Sequence, residues 1–112
     1  IETALDLSLP YLPGVSTGSE IMTGMRHGLR CFKFSPAELC GGTAMLKALA
    51  GPFPNIRFCA TGGVGESQIR EYLDLPNVLC VAGSWLAPGD LVRAARWEEI
   101  GQLASRAVAL AA

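Results

Sequence analysis

The chain of 112 residues has the length of one modest domain, and half of its residues are hydrophobic while only 17% are charged. This composition is too apolar for a disordered chain, yet no apolar run approaches the roughly 20 residues that a membrane-spanning helix needs. The net charge of −1 offers no basic surface to nucleic acid, so neither nucleic acid nor a membrane is expected as a partner.

Glycine and proline divide the chain into alternating apolar and amphipathic runs, beginning with an apolar run at residues 10–15. Ser16 or Thr17 can cap the helix that follows, and Glu20 stands three residues after Thr17 as in a capping box. Gly28 is the kind of residue that ends a helix. This stretch therefore predicts a first strand and a first long helix.

Three further pairs follow the same pattern. Their apolar runs lie at residues 30–34, 56–60 and 78–82, and the amphipathic runs after them cover residues 39–50, 67–73 and 90–111. Short, continuously apolar strands alternating with helices are typical of a parallel α/β sheet. An open doubly wound sheet fits 112 residues. A (β/α)8 TIM barrel needs about 250 residues, and four units are half of one. The pattern alone leaves both open.

Lys33 is the residue most indicative of chemistry, because it lies between Phe32 and Phe34 in an apolar run. Lysine is rarely buried without a partner or a function. Side chains alternate along a strand, so Lys33 faces away from both phenylalanines. If it points into a barrel, desolvation favours the neutral amine, which is a nucleophile. The alternative is a strand-end lysine that reaches solvent or pairs with Glu38.

Two glycine-containing turns follow consecutive strands, Thr61-Gly62-Gly63 after the third and Gly83-Ser84 after the fourth. Glycine lets backbone N–H groups approach a ligand closely, and a following helix N-terminus favours an anion. In barrels, phosphate is often held by the loops after strands seven and eight. The paired turns therefore predict a phosphate site, with plain strand-to-helix turns as the alternative.

The remaining polar and reactive residues are assigned structural roles. Glu38 is a candidate general acid or base, but stabilisation of the next helix's first turn is the favoured interpretation. The single histidine, His27, and the absence of a C-x-x-C pair argue against a zinc or other metal site. The cysteines are predicted to be free, buried thiols in a reducing, cytoplasmic compartment, and they are Cys31, Cys40, Cys59 and Cys80.

Five motifs, in order and over nearly the whole chain, resemble the 2-keto-3-deoxy-6-phosphogluconate (KDPG) aldolase family. They are LPGVST at 12–17, FKFSPAE at 32–38, LAGPFP at 49–54, RFCATGG at 57–63 and LCVAGSW at 79–85. The resemblance implies a (β/α)8 TIM barrel, usually a homotrimer. It therefore favours the second half of a barrel over the open sheet, with residues 1–112 as a single C-terminal segment.

The same resemblance implies a lyase of the Entner–Doudoroff pathway, a class I aldolase that needs no cofactor. Its substrate would be a phosphorylated keto acid, cleaved to pyruvate and glyceraldehyde 3-phosphate; some relatives cleave 4-hydroxy-2-oxoglutarate. Lys33 matches the Schiff-base lysine, and Thr61 matches a residue that contacts the bound substrate. Gly62, Gly63 and Ser84 match phosphate-binding positions.

The sequence departs from the family in what it lacks. The family's catalytic glutamate and the arginine that holds the substrate carboxylate come from early strands, whereas this chain starts near the fifth. Ser35 stands where an aromatic residue is expected. The chain, opening at Ile1 in what reads as the tail of a helix, is therefore expected to be part of a longer enzyme. The alternative is a non-catalytic half barrel that binds phosphate or self-associates, since its unpaired strand edges and apolar inner face can bind a second chain.

Overall fold

Four parallel strands form one sheet in the computed structural model, which describes all 112 residues. The strands are β1 (Gly14–Val15), β2 (Cys31–Phe34), β3 (Arg57–Thr61) and β4 (Val78–Ala82). The helices are α1 (Glu2–Asp6), α2 (Gly18–Arg26), α3 (Gly42–Ala50), α4 (Ile69–Leu73), α5 (Gly89–Arg93) and α6 (Trp97–Ala111). Two 3-10 turns lie at Glu66–Gln68 and Ser84–Leu86.

The strand order is β1-β2-β3-β4, so each strand is hydrogen-bonded to its neighbour in sequence. A doubly wound sheet reverses its strand order and carries helices on both faces. Here the order never reverses, and only one face of the sheet is covered. The predicted α/β fold with four strands of a half barrel is confirmed, and the alternative of an open doubly wound sheet is wrong.

The covered face of the sheet, called here the outer face, packs against the helices. Phe32, Phe34, Phe58 and Ala60 project from it and are fully buried. The rings of Phe34 and Phe58 meet edge to face with centroids 6.1 Å apart. The helices and loops contribute a further apolar set to this core, including Ile21, Leu46, Leu49, Ile56, Tyr72 and Leu75. One layer of helices therefore stabilises the sheet from one side.

The first strand is shorter than the apolar run that predicted it, because only Gly14 and Val15 of residues 10–15 are in a strand. Proline has no N–H to donate to a neighbouring strand, and this run contains Pro10 and Pro13. Pro13 still contributes its carbonyl, which accepts from the Lys33 N–H at 2.9 Å. The β1 edge is consequently only two residues long.

The predicted helices differ from the observed ones mainly at the C-terminus. The capping box is confirmed, since the Thr17 side chain accepts from the Glu20 N–H and Glu20 accepts from the Thr17 N–H. The single helix predicted over 90–111 is instead α5 and α6, joined through Ala95 at φ 54. No glycine or proline marks this break. None of the helices combines the length and apolar composition needed to cross a membrane.

An irregularity in the pairing of β3 and β4 sets which residues stand side by side. Phe58 pairs with Val78, but Cys59 pairs with Cys80, so Leu79 is skipped. This is a β-bulge, which shifts the following side chains relative to the partner strand. Because of it, Cys80 rather than Leu79 stands beside Cys59.

Candidate active site

The face of the sheet opposite the helices, called here the inner face, carries Lys33. Strand register places Gly14, Lys33, Cys59 and Cys80 side by side across β1 to β4. Lys33 is exposed, while Phe32 and Phe34 beside it are fully buried. Lys33 lies on the face opposite both phenylalanines, as predicted, and it reaches solvent as in the alternative interpretation rather than being buried.

The alternative role for Lys33, an ion pair with Glu38, is also absent from the structure. The only ion pairs join Arg70 to Asp74, Arg96 to Glu99 and Arg106 to Glu66. Glu38 instead accepts hydrogen bonds from Tyr72 and Gln68. Lys33 therefore has no carboxylate paired to it on the inner face.

The thiols on the inner face are free, as predicted, but none of the four cysteines is buried. Cys31 and Cys80 are exposed, and Cys40 and Cys59 are partly exposed. The prediction of burial is wrong: Cys31, Cys59 and Cys80 lie on the inner face, which the helices do not cover, and Cys40 lies in the loop after β2. Burial, the hydrogen bond with Cys80 and the charge of Cys80 raise the pKa of Cys59 to about 11, against a smaller lowering by Lys33. Cys59 therefore stays a neutral thiol near neutral pH.

The two glycine-containing turns come together at the carboxyl ends of β3 and β4. They line one cavity of about 310 Å³, formed by Thr61, Gly62, Gly63, Val64, Gly83, Ser84 and Trp85. The structure thus brings Thr61, Gly62, Gly63 and Ser84 into a single site. Lys33 does not line this cavity; it stands on β2, one strand away from β3.

Several backbone N–H groups around this cavity have no acceptor within the chain. Those of Gly62, Gly63, Val64 and Gly83 donate to no backbone or side-chain oxygen. The indole N–H of Trp85 is buried and also lacks an acceptor. Backbone N–H groups left free in successive residues of a turn form a site suited to an anion. The cavity can therefore accept an oxyanion such as phosphate.

Steric crowding explains the glycines of this site. Gly62 and Gly63 have φ values of +95 and +80, a backbone region that side chains rarely adopt. A Cβ on Gly62 would lie 2.6 Å from the Pro36 Cα, and one on Gly63 would lie 2.9 Å from the Glu38 Cβ. The loop after β2 is therefore packed directly against the turn after β3.

Glu38, Gln68 and Tyr72 form a polar cluster next to this turn, and it is the feature that sequence reasoning missed. Tyr72 has the spacing of an ordinary core residue on an amphipathic helix, so no local signal identifies it. Glu38 was a candidate, but its partners lie 30 and 34 positions further along the chain. Only the folded structure brings the three side chains together.

Comparison with known proteins identifies the family that the chain resembles. Residues 1–103 match the family model described as KDPG and KHG aldolase. The chain is 50% identical over 105 residues to a 2-dehydro-3-deoxy-phosphogluconate aldolase of Pseudomonas aeruginosa, covering 94% of this chain and 48% of that protein. It is 48% identical over 108 residues to the KHG/KDPG aldolase of Escherichia coli, covering 96% of this chain and 51% of that protein.

Solved structures agree with the sequence relatives. A KDPG aldolase from Legionella pneumophila, with pyruvate captured at low pH as a covalent carbinolamine intermediate, superposes with a TM-score of 0.85 and 43% identity. That match covers 93% of this chain and 49% of the solved chain. The 2-keto-3-deoxy-6-phosphogluconate aldolase of Zymomonas mobilis with 3-phosphoglycerate superposes with a TM-score of 0.83 and 39% identity. That match covers 93% of this chain and 48% of the solved chain. The chain spans about half the length of the curated relatives it matches.

Proposed function

The chain belongs to the KDPG and KHG aldolase family, and on that premise we propose that it is the lysine-bearing C-terminal half of a class I aldolase. The proposed reaction cleaves KDPG into pyruvate and glyceraldehyde 3-phosphate. Lys33 is the proposed Schiff-base lysine. Thr61, Gly62, Gly63 and Ser84 are the proposed substrate and phosphate contacts.

The observation that carries this proposal is the position of Lys33 relative to the anion cavity. Lys33 projects from the inner face of β2, and the cavity lies at the carboxyl ends of β3 and β4. Barrel enzymes build their active sites at the carboxyl ends of the strands. Lys33 pairs in register with Cys59, two residues before Thr61 of the cavity, which supports one substrate placing its ketone at the lysine and its phosphate in the cavity.

The chemistry follows from an amine and a ketone. The Lys33 amine adds to C2 of the substrate to form a carbinolamine, which loses water to give a protonated imine. The imine accepts the electron pair of the C3–C4 bond, leaving an enamine and releasing the aldehyde. Protonation of the enamine and hydrolysis release pyruvate and restore the amine. The pyruvate carbinolamine captured in the Legionella relative supports this sequence of steps.

The cavity supports the phosphorylated substrate. The unpaired N–H groups of Gly62, Gly63 and Gly83 can donate to phosphate oxygens, and the Ser84 hydroxyl lines the same cavity. The relative from Zymomonas binds 3-phosphoglycerate, which also carries a phosphate. These groups bind and orient the substrate while Lys33 performs the covalent step.

The general base that must take the C4 hydroxyl proton is not evident in this chain. None of the ten Asp and Glu residues lies in a strand, so none projects from the inner face. Glu38, the candidate acid or base, has both carboxylate oxygens occupied by Tyr72 and Gln68. We therefore expect this chain alone to form the imine with pyruvate but to cleave KDPG very slowly.

Borohydride trapping tests the Schiff-base assignment. The chain is incubated with pyruvate and reduced with borohydride, and the adduct is located by mass spectrometry of its peptides. We expect an adduct on Lys33 that Lys33→Arg abolishes. Lys47→Arg is the matched control because Lys47 is the only other lysine, and it should leave the adduct unchanged. An adduct absent from Lys33 contradicts the proposal.

The choice of substrate remains between KDPG and 4-hydroxy-2-oxoglutarate, because the Escherichia coli relative is named for both. The anion cavity favours the phosphorylated compound. Pyruvate release from each compound, measured with lactate dehydrogenase, compares them directly. Pyruvate release from KDPG at a rate typical of an enzyme, by the isolated chain, excludes the alternative of a non-catalytic phosphate-binding half barrel.

A trimeric assembly in a reducing cytoplasm completes the proposal. The free thiols are compatible with a reducing compartment. The chain also exposes large apolar side chains that an assembly could cover, including Leu7, Leu9, Tyr11, Leu12, Leu79 and Val108. Sedimentation equilibrium of the chain measures its association directly, and a monomer at all concentrations contradicts the trimer.

A further inference from the structure

The carboxylate of Glu38 joins two loops that the proposed reaction uses separately. Its Oε1 accepts from the Tyr72 hydroxyl, and its Oε2 accepts from Gln68 Nε2 at 2.8 Å. Gln68 in turn accepts, through its Oε1, from the Gly65 N–H at 2.9 Å. One carboxylate thus links the loop after Lys33 to the segment that follows the glycine turn.

The backbone joins the same two loops. The Ala37 N–H donates to the Thr61 carbonyl at 2.7 Å, and the Glu38 N–H donates to the Gly62 carbonyl at 3.1 Å. These bonds use the carbonyl groups of the turn, which leaves the N–H groups of Gly62 and Gly63 for the cavity. The loop after β2 therefore holds the turn in the orientation that presents its donors.

Tyr72 anchors this cluster in the core. Tyr72 lies on α4, and its side chain is fully buried and belongs to the main hydrophobic cluster. Burial, the hydrogen bond to Glu38 and the charges of Glu38 and Glu71 raise the pKa of Tyr72 well above its usual value. The phenol therefore donates to Glu38 near neutral pH, and its position is set by the packing around it.

From this geometry we infer that Glu38 is a positioning residue that holds the Thr61–Gly63 turn against the loop following Lys33. The inference rests on the proposed function, because it gives Glu38 the role of fixing the distance between Lys33, which forms the imine, and the N–H groups that are proposed to bind phosphate. With both carboxylate oxygens accepting hydrogen bonds within the chain, Glu38 acts through its neighbours rather than on the substrate.

Two substitutions remove this link from opposite sides. Glu38→Gln places an amide NH₂ group where an oxygen accepted, so one of the two bonds is lost. Tyr72→Phe removes the hydroxyl and keeps the buried ring. Glu71→Gln is the matched control, because it removes the same charge next to Tyr72. The bond that it weakens is the exposed one from the Thr43 hydroxyl to Glu71, which is 2.7 Å long.

Amide hydrogen exchange and phosphate titration measure the effect. The amides of Ala37, Glu38 and Gly65 donate bonds within the linked loops and report their opening. We expect their exchange to accelerate about tenfold in Glu38→Gln and Tyr72→Phe, equivalent to about 1.4 kcal/mol. The Kd for inorganic phosphate, measured by calorimetry, should rise by about the same factor. Glu71→Gln should change neither quantity.

Pyruvate trapping distinguishes positioning from general destabilisation. Pyruvate carries no phosphate, so its trapping rate on Lys33 should stay within about twofold of wild type in both variants. A general loosening of the chain would slow trapping as well, and that result would overturn the inference. Unchanged amide exchange, or faster exchange with an unchanged phosphate Kd, would also overturn it. A wild-type chain that fails to bind phosphate contradicts the proposed phosphate site, and exchange alone then decides the role of Glu38.

Discussion

The outer and inner faces of the sheet use the same strands for different purposes. The outer face presents Phe32, Phe34 and Phe58, all fully buried under helices. The inner face presents Lys33, Cys59 and Cys80, which are exposed or partly exposed. Side chains on a strand alternate, so adjacent residues belong to opposite faces. The outer face therefore stabilises the fold, while the inner face is free to carry reactive groups.

Substitutions at two adjacent positions of β2 should show the largest difference in stability between the outer and inner faces. Phe32→Ala leaves a cavity in the core and should lower the free energy of unfolding by about 3–5 kcal/mol. Lys33→Ala, at the next position, should change it by less than about 0.5 kcal/mol because the side chain is exposed. Urea unfolding followed by circular dichroism measures both. A comparable loss in Lys33→Ala would mean that the inner face is covered in solution.

Glycine substitutions extend the comparison to the loops at the strand ends. Gly62→Ala combines a φ of +95 with a Cβ 2.6 Å from the Pro36 Cα, so it should cost about 1–3 kcal/mol. It should also weaken phosphate binding, because the turn must move. Gly14→Ala is the control, since a Cβ there meets no atom within 4 Å. Equal stability of the two variants would show that the turn is not held by the loop after Lys33.

The cap of α2 tests a smaller contribution to the outer layer. Thr17→Ala removes the acceptor for the Glu20 N–H and should lower the free energy of unfolding, measured in urea, by about 1 kcal/mol.

The Glu20 carboxylate at the same cap predicts a dependence on pH. The backbone hydrogen bond from Ser16, followed by bonds from Thr17, holds the pKa of Glu20 below its usual 4.5. Because the pKa of Glu20 is lower in the folded state, the stabilisation by these bonds to its carboxylate is present above pH 4.5. It is lost as the pH falls through the folded-state pKa. Glu20→Gln should abolish that acid-side loss.

Substitution of the inner-face thiols should have the smallest effect on the free energy of unfolding, and this effect should occur at alkaline rather than acid pH. The pKa of Cys59 is raised from 9.0 to about 11, so its contribution is present below pH 9.0 and declines as the pH rises toward 11. Cys59→Ala should remove this alkaline decline, whereas Cys31→Ala should not. The iodoacetamide labelling rate of Cys59 should keep rising with pH up to about 11, since the thiolate is the reactive form. A labelling rate that levels off by pH 9 would contradict the raised pKa.

Much of the fold could be predicted from local patterns. Period-two alternation correctly placed Lys33 on the face opposite Phe32 and Phe34. Residues 78–82 were predicted as a strand with the observed bounds, and Thr17 with Glu20 correctly marked the start of α2. These predictions succeed because each depends on residues within a few positions of one another.

Several features of the candidate site could not be predicted in this way. The exposure of Lys33 depends on how many strands close around it. The pairing of Cys59 with Cys80 depends on a bulge that skips Leu79. The break at Ala95 carries no glycine or proline signal. Each depends on packing between elements rather than on local sequence.

By itself, the sequence determined the alternation of strands and helices, the opposite facing of Lys33 and its two flanking phenylalanines, and the glycines that build the turn after β3. Local sterics and side-chain periodicity are sufficient for these. Only the tertiary structure decided that Glu38 bonds to Tyr72, 34 residues away, rather than to Lys33, five residues away. The physical reason is that a carboxylate bonds to the donors that packing brings within reach, and the core places the Tyr72 hydroxyl there.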